Sequence, residues 1–393
     1  MVPPRLVRRL VLAPLAIVVA AAMVVLFPPL AVLALLLGAL GRSRPHRMRA
    51  LRLLSFAFIW LVAETATLFM CLGLWLASGF GGRLHTEPYQ SRHYGIMQWY
   101  LDRLHAAAAG TLGLRVEVDE PPLTPAERAA RLAHPVIVLS RHAGPGDSLL
   151  LVHHLLAVYR RRPRVVMKAA LQLDPSVDVV ANRVPNVFIQ GRLTGEHLFV
   201  AQISRLAGGL DQAGALVLFP EGGNWTPGRW RRGIRRLDRM GRGDLAERAR
   251  GMPHLLPPRA GGALSAMAAC PTADVIFVAH AGLDTLVSVA DVWRSLPIGH
   301  VVRARWWRVP AAEVPRTAEA DAQVRWLYDW WQRIDDWISG HTTGPGPDGQ
   351  ARTDSHGPDS HGRPDSHGGP DSHGGPDSQH GPRVSSGGPG QPE

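Results

Sequence analysis

Two long apolar stretches near the start of the chain constrain its fold more than any other feature. Residues 10–41 are almost wholly apolar and are interrupted by Pro28 and Pro29, and residues 53–79 form the second stretch. The first stretch exceeds the roughly 20 apolar residues that one membrane crossing requires, and it is too long for a cleaved signal peptide. We therefore predict a membrane-anchoring region over residues 1–92, with membrane lipids as partners.

Arginines flank the first apolar stretch on both sides, at Arg5, Arg8, Arg9, Arg42, Arg44, Arg47, Arg49 and Arg52. Basic residues favour the cytoplasmic side of a membrane. The pattern therefore predicts that both ends of residues 10–41 are cytoplasmic, as in a tight hairpin broken at the two prolines or a re-entrant segment. The second stretch, which contains Glu64, either spans the membrane or lies within its interface. We expect a cell-membrane location with the remaining domain on the cytoplasmic face.

The chain is strongly basic, with 43 Lys plus Arg against 32 Asp plus Glu and a formal net charge of +11. This excess favours anionic partners such as a membrane surface, a phosphorylated substrate or nucleic acid. Nucleic acid is a poor partner, because the arginines lack interleaved aromatic residues and the chain starts in the membrane. Lys168 is the only lysine, a bias that indicates a GC-rich, bacterial genome. Cys71 and Cys270 lie far apart without metal-ligand spacing, so we predict no metal site.

Beyond residue 93, short runs rich in β-branched residues alternate with patterns typical of helices. The predicted strands cover residues 114–118, 136–139, 165–167, 187–189, 216–219 and 275–279. This alternation predicts an α/β domain over residues 93–340. Residues 94–109 form an amphipathic helix in which Trp99 and Tyr100 are expected to be interfacial anchors.

Residues 341–393 differ in kind from the rest of the chain. They consist mainly of Gly, Pro, Ser, Asp and His, with repeats of Pro-Asp-Ser-His-Gly. Because this segment has almost no apolar side chains to bury, we predict a disordered tail. Its histidines can bind transition metals loosely, but a solvated appendage without metal function is the simpler interpretation.

One predicted strand ends in a turn that brings together groups able to move a proton. The strand Val136–Leu139 is followed by His142 and Asp147, and a helical pattern begins at Ser148. A carboxylate this close can hold the imidazole in one tautomer and stabilise the imidazolium that forms when it takes a proton. The alternative is that Asp147 only caps the next helix while His142 is merely exposed.

This H-x-x-x-x-D pattern, followed further along by Phe219-Pro220-Glu221-Gly222, resembles the glycerolipid acyltransferase family. The best-known members of that family are the 1-acyl-glycerol-3-phosphate acyltransferases. The resemblance implies a central mixed sheet flanked by helices, preceded by N-terminal membrane-inserting helices. It also implies transfer of a fatty acyl chain from acyl-CoA or acyl carrier protein to a lysophospholipid hydroxyl, with no cofactor beyond that co-substrate.

The resemblance further implies roles for individual residues. His142 would act as the general base on the acceptor hydroxyl, and Asp147 would orient and support it. Glu221 and Gly222 match the second signature, which is associated with the acceptor's glycerol-phosphate head group. The alternative for this pair is a simple turn after a strand.

The chain departs from the commonest family pattern just beyond Gly222. Threonine and arginine usually follow that glycine, whereas this chain has Gly223 and Asn224. Asn224 can form hydrogen bonds but carries no charge to clamp a terminal phosphate. Arg229 and its neighbours compensate, or the acceptor is another lysolipid or a glycolipid. An alternative of another class is a catalytically silent membrane scaffold or metal-binding protein.

Further basic residues are predicted to bind anionic groups. Arg192 follows a Phe-Ile pair in a block resembling the family's phosphate-binding block, with Arg183 as the fallback, and Lys168 occupies a place where the family often carries lysine. Nine arginines lie within residues 229–250, several at helical spacing. That face fits anionic lipid or a phosphorylated acyl carrier, or is simply solvated. Arg259 is a further candidate contact.

Overall fold

The computed structural model describes residues 2–40, 48–120, 124, 132–144, 146–189, 195–284, 289–296 and 301–341. Its strands are β1 (Arg115–Asp119), β2 (Val136–Ser140), β3 (Arg162–Lys168), β4 (Val187–Ile189), β5 (Gly214–Leu218), β6 (Asp274–Ala281) and β7 (Val301–Val309). Its helices are α1 (Ala13–Leu40), α2 (Arg49–Ala77), α3 (Glu87–Ala107), α4 (Asp147–Ala157), α5 (Pro175–Ala181), α6 (Glu196–Gly208), α7 (Pro227–Arg239), α8 (Gly243–Arg250), α9 (Ala260–Ala269), α10 (Val289–Ser295) and α11 (Ala320–Ser339). Short helical turns cover Arg5–Val7, Arg8–Leu12, Ala108–Leu112, Ala169–Leu173 and Ala311–Glu313.

The seven strands form one mixed sheet in the order β1-β7-β6-β2-β5-β3-β4. Strands β6, β2, β5, β3 and β4 run parallel to their neighbours within this group. Strand β7 is antiparallel to β6 and parallel to β1. The predicted α/β fold with a central mixed sheet is therefore confirmed. Because the parallel strands share one direction, the loops after them meet at one edge of the sheet, which we call the carboxyl edge.

Side chains of β2 alternate between the two faces of the sheet, as strand geometry requires. Ile137 and Leu139 lie in the larger core cluster, whereas Val136 and Val138 lie in the core on the opposite face. All five residues of β2 are buried. The strand is therefore a fixed support for the turn that follows it.

The C-terminal helix α11 packs its tryptophans against the sheet. The Trp330 ring stacks on Phe277 of β6 with centroids 4.6 Å apart, and Trp331 is fully buried. These tryptophans therefore belong to the larger core cluster on that face of the sheet. Strand β7 was not predicted, although the alternation Val301-Val-Arg-Ala-Arg-Trp306 carries the usual signal of a half-buried strand.

The first apolar stretch is one continuous helix and not a hairpin, so the prediction of a break at the two prolines was wrong. Helix α1 passes through Pro28 and Pro29. Proline lacks a backbone donor and breaks helices in water, but apolar surroundings offer an opened backbone no other partner, which favours the intact helix. Helices α1 and α2 pack together, with the Phe27 and Phe58 ring centroids 4.5 Å apart.

Among the residues that the structure describes, two helices are long and apolar enough to cross a membrane, namely Arg5–Ala39 and Arg49–Ala77. The most apolar window of the first is only 6% buried within the protein, and that of the second is 28% buried. The outer surface of the first helix is thus a large apolar face, which the sequence predicted as a membrane-inserting element.

Buried polar groups join the second apolar helix to the α/β domain. The Glu64 carboxylate accepts hydrogen bonds from Ser176 N at 2.8 Å, Ser176 Oγ at 2.7 Å and Tyr100 Oη at 3.0 Å. Tyr100 is therefore a buried residue of the domain core, and its prediction as a membrane-interface anchor was wrong. Its hydroxyl finds a partner inside the protein, as a buried tyrosine generally requires.

A second buried contact joins the start of the first apolar helix to α5. Arg8 donates from Nε and Nη2 to Asp178 Oδ1, at 3.0 Å and 2.8 Å. Both side chains are buried. Ala13 and Ile17 pack nearby against the cluster that contains Val179 and Val180. The helix pair therefore rests on the domain through specific bonds as well as apolar packing.

Candidate active site

His142 lies at the carboxyl edge, two residues beyond the end of β2. Its Nδ1 is 2.9 Å from Asp147 Oδ2 and 3.1 Å from Oδ1. Asp147 is the first residue of α4, so the small residues of the intervening turn fold the carboxylate back onto the imidazole. The structure thus brings together the two residues that the sequence selected as a proton-transfer pair.

The Asp147 carboxylate is held by the backbone as well as by His142. It accepts hydrogen bonds from the amides of Ala143 at 2.7 Å, Gly144 at 3.1 Å and Ser148 at 2.5 Å. Burial alone would raise the pKa of Asp147, but the hydrogen bond with His142 and that with the Gly144 amide lower it. Asp147 is therefore ionised at neutral pH and fixed in position.

An ionised Asp147 can only accept hydrogen bonds, so the proton between the two side chains resides on His142 Nδ1. This tautomer leaves Nε2 unprotonated and able to take a proton from a bound hydroxyl. The His142 side chain is 15% exposed, and its ring packs on Phe219 with centroids 4.7 Å apart. The imidazole is thus accessible from one side and supported on another.

Glu221 is buried directly behind the His142 turn. Its Oε1 accepts the backbone N–H of His142 at 3.1 Å, and its Oε2 accepts the N–H of Leu256 at 3.2 Å. Burial raises the pKa of Glu221 to about 8, against the opposing effects of Arg141 and the two amides. Because backbone amides occupy both oxygens, this geometry makes Glu221 a positioning residue for the turn. Its predicted contact with an acceptor head group remains a prediction.

The segment after β5 folds back beside His142. Gly222 N donates to Phe219 O at 3.0 Å, and Trp225 N donates to His142 O at 3.0 Å. Gly222 has φ +69°, a conformation that glycine adopts without strain. A Cβ at this position would lie 3.3 Å from Arg259 Cζ. Glycine is therefore required both by the backbone and by the close approach of an arginine.

A second arginine lies against the next residues of the same loop. Arg229 Nη1 donates to Asn224 O at 3.0 Å, and a Cβ at Gly223 would lie 3.1 Å from that nitrogen. Asn224 itself is half-buried. The guanidinium groups of Arg229 and Arg259 thus flank the loop after Gly222. This is the loop in which Asn224 replaces the arginine that the resemblance led us to expect.

The remaining predicted basic residues divide into three cases. Lys168 ends β3 at the carboxyl edge, and its side chain is exposed. Arg192 lies outside the described residues. Arg183 is buried and donates from Nη1 to Cys71 O at 2.7 Å, with His93 Nε2 3.1 Å away. These partners place Arg183 between the domain and α2, away from His142, so its prediction as a fallback phosphate ligand was wrong.

Sequence reasoning missed a second histidine beside Asp147. His280, near the end of β6, lies with Nε2 3.6 Å from Asp147 Oδ2. Burial first, and then the nearby Arg141, lowers the pKa of His280 to about 4, so it is neutral at neutral pH. Strands β6 and β2 are neighbours only in the sheet. A polar residue at the end of another buried strand was the only available signal.

Arg141 was also missed as part of the site's support. Its guanidinium is buried and donates from Nη1 to His280 O at 2.7 Å and from Nη2 to Asp284 Oδ1 at 2.5 Å. It thereby ties the end of β2 to the loop after β6. Within the described residues, no group of three or more His, Cys, Asp or Glu side chains has the arrangement of a metal site.

The structure thus combines an α/β domain with a paired imidazole and carboxylate at the carboxyl edge of its sheet. Residues 115–278 match the family model described as Acyltransferase. No curated protein sequence matches the chain. The chain therefore carries a domain of the acyltransferase family, and this confirms the resemblance drawn from its sequence. The matched range contains His142, Asp147 and Glu221.

Proposed function

We propose that this protein transfers a fatty acyl chain from acyl-CoA or acyl carrier protein to the free hydroxyl of a lysophospholipid such as 1-acyl-glycerol-3-phosphate. The reaction takes place at the cytoplasmic face of the cell membrane, in phospholipid biosynthesis or remodelling. The observation that carries the proposal is the 2.9 Å contact between His142 Nδ1 and Asp147 Oδ2. The same chain carries two apolar helices with which to reach a lipid acceptor.

In the proposed reaction, His142 Nε2 takes the proton of the acceptor hydroxyl while the oxygen attacks the thioester carbonyl. A C–O bond forms, the C–S bond breaks, and the imidazolium returns its proton to the leaving thiolate. Asp147, ionised and buried, stabilises the imidazolium in between. Such positioned proton transfer contributes roughly 10²- to 10⁴-fold to the rate.

The head group of the acceptor is proposed to meet the arginines around the loop after Glu221. Guanidinium groups bind phosphate oxygens in a bidentate manner. Arg259 lies over Gly222, Arg229 lies over Gly223, and Lys168 ends a neighbouring strand at the same edge. Together they can supply the positive charge that Asn224 lacks. This arrangement supports an anionic acceptor.

A second candidate acceptor is a lysolipid without a terminal phosphomonoester, or a glycolipid. The observation that favours it is Asn224, a neutral and half-buried residue in the place where the family usually has a charged clamp. An amide both donates and accepts hydrogen bonds, which suits a hydroxylated head group.

An acceptor screen with one labelled acyl-CoA tests the proposal. The full chain in lipid vesicles is given lysophosphatidate, other lysophospholipids and a lysoglycolipid in turn, and the labelled lipid product is measured. His142→Ala is expected to lose at least about 10²-fold in rate. His197→Ala, a substitution of an exposed histidine on α6, is the matched control and should retain full activity.

Three outcomes of the screen are informative. Unchanged transfer by His142→Ala would refute the mechanism. Reaction with another lysolipid while lysophosphatidate is inert would favour the second candidate acceptor. If the wild-type chain transfers the acyl chain to none of these acceptors, the alternative of a catalytically silent membrane scaffold is favoured.

A further inference from the structure

Four exposed leucines follow strands that end, like the strand before His142, at the carboxyl edge of the sheet. The adjacent parallel strands β2, β5, β3 and β4 all end there. Leu149 follows β2 in the first turn of α4, Leu171 and Leu173 follow β3, and Leu198 follows β4 in the first turn of α6. These four side chains are between 46% and 64% exposed. Apolar side chains that share one edge indicate a contact surface, whereas single exposed leucines do not.

Helix α7, which follows β5 at the same edge, has a uniformly basic outer face. Trp230 donates to the carbonyl oxygens of Ala249 at 3.2 Å and Met252 at 3.0 Å, and Ile234 is buried. These contacts fix the rotation of the helix. The exposed arginines on its outer side are Arg229, Arg231, Arg232, Arg235, Arg236 and Arg239.

The acidic residues near this face are already paired elsewhere. Asp238 is bound by Arg250, whose Nη2 lies 2.9 Å from Oδ2. None of the six exposed arginines of α7 forms an ion pair with a carboxylate in the part of the chain that the structure describes. Their charge is therefore available to an anionic partner. The face begins at Arg229, four residues after Trp225, whose amide bonds to His142.

Two of these leucines, Leu171 and Leu173, lie on a turn that adjoins the start of the N-terminal helices. The segment Arg8–Leu12, which leads into α1, contacts the turn Ala169–Leu173, which carries Leu171 and Leu173. Beyond this contact, α1 exposes an apolar face along most of its length. An apolar surface that extends directly from the candidate membrane helices fits lipid better than it fits a soluble protein.

We propose that the carboxyl edge and the basic face of α7 together form a membrane-docking surface for a bilayer that contains anionic phospholipid. The leucines enter the interfacial layer, and the arginines bind the phosphates of the head groups. The inference rests on the proposed membrane location and extends it, because it states which edge of the domain faces lipid. A lysolipid can then pass from the bilayer to His142 without entering bulk water.

Site-specific fluorescence on the full chain in vesicles tests this surface. Leu173→Cys and Leu198→Cys are labelled with an environment-sensitive dye, while the native Cys71 and Cys270 are buried. The vesicles contain phosphatidylglycerol and a shallow spin-labelled lipid. Both labels are expected to be quenched. Gln212→Cys, at an exposed position before β5 on the opposite edge, is the matched control and should stay unquenched.

The basic face is tested separately through salt dependence. Quenching at the Leu198→Cys label is expected to fall as ionic strength rises, because added salt screens exposed charges. Adding Arg235→Gln and Arg236→Gln should weaken quenching at low salt and flatten this dependence. The control pair Arg325→Gln and Arg333→Gln removes the same charge from α11. It should change neither the quenching at low salt nor its dependence on ionic strength.

The outcomes separate this inference from the proposed function. If the chain binds vesicles but its labels at 173 and 198 are as poorly quenched as the control label, the docking surface is refuted while the membrane location stands. If the chain does not bind vesicles at all, the proposed location fails with it. If these labels become shielded only when an acidic acyl carrier protein is added, the surface binds protein and the proposal is overturned.

Discussion

Asp147 lies with Oδ2 2.9 Å from His142 Nδ1, and the same oxygen also accepts the amides of Ala143 and Gly144. One carboxylate therefore orients the imidazole and closes the turn that carries it. Capping and catalytic support, which are alternatives when only the sequence is known, are performed together. Any change at Asp147 acts on the proton-transfer pair and on the backbone of the turn at once.

The first prediction concerns Asp147→Asn. The amide nitrogen of asparagine cannot accept the Nδ1 proton of His142, so the variant favours the wrong tautomer. We expect kcat to fall by roughly 10²- to 10⁴-fold and the melting temperature to fall as well. Asp102→Asn is the control, because Asp102 pairs with His153 at 2.8 Å outside the site. Equal kcat values for the two variants would contradict the role given to Asp147.

The second prediction concerns stability at acid pH and depends on His280. Its folded-state pKa of about 4 lies below the ordinary value of 6.5. The unfolded chain therefore binds a proton first as the pH falls, and the stability that neutral His280 provides is lost between about pH 6.5 and pH 4. His280→Gln should lose less thermal stability than the wild type between pH 7 and pH 5.

Thermal unfolding in detergent at both pH values measures this difference. His197→Gln, at an exposed position, should follow the wild type. A His280→Gln protein that loses as much stability on acidification as the wild type would show that folding does not lower the pKa of His280. The groups that face it, Asp147, Arg141 and Asp284, would then have to be reconsidered together.

The third prediction concerns stability that is lost as the pH rises, and it depends on Glu221. Its folded-state pKa of about 8 lies above the ordinary value of 4.5, so the fold favours the protonated carboxyl. That stabilising contribution is complete below pH 4.5 and is lost as the pH rises through 8. Glu221→Gln, although it loses one acceptor, should show a smaller fall in melting temperature between pH 6 and pH 9. Glu117→Gln, at an exposed site on β1, is the control, and a slope of the Glu221→Gln protein as steep as that of the wild type would exclude Glu221 as the cause.

The sequence was sufficient for the parts of the site that lie close together in the chain. His142 and Asp147 share one turn, and Gly222 indicates a tight loop after a strand. Local sequence patterns are therefore enough to identify these three residues. Arg141 and His280 meet only because β2 and β6 are neighbours in the sheet, and no local pattern records that pairing. Likewise, Glu64 accepts hydrogen bonds from Ser176 and from Tyr100 across the interface between α2 and the domain. No local pattern shows this partner of Tyr100, and the sequence therefore predicted a membrane anchor there.

The two apolar stretches show the same limit of sequence-based prediction for the fold. Hydropathy correctly identified two segments, but it could not decide where the chain reverses. Prolines at positions 28 and 29 are strong helix breakers in water, yet α1 continues through them, as an apolar environment would favour.

The fourth prediction concerns Gly222→Ala. The added Cβ would meet Arg259 Cζ at 3.3 Å in a backbone with φ +69°, and the left-handed conformation costs roughly 1–2 kcal/mol for a residue with a side chain. Displacement of Arg259 should raise KM for an anionic lysolipid more than KM for an uncharged one. Gly228→Ala, at the second residue of α7 with open space around its Cβ, should leave both values unchanged. A Gly222→Ala protein in which both KM values rise equally would show that the arginine does not bind the acceptor's charge.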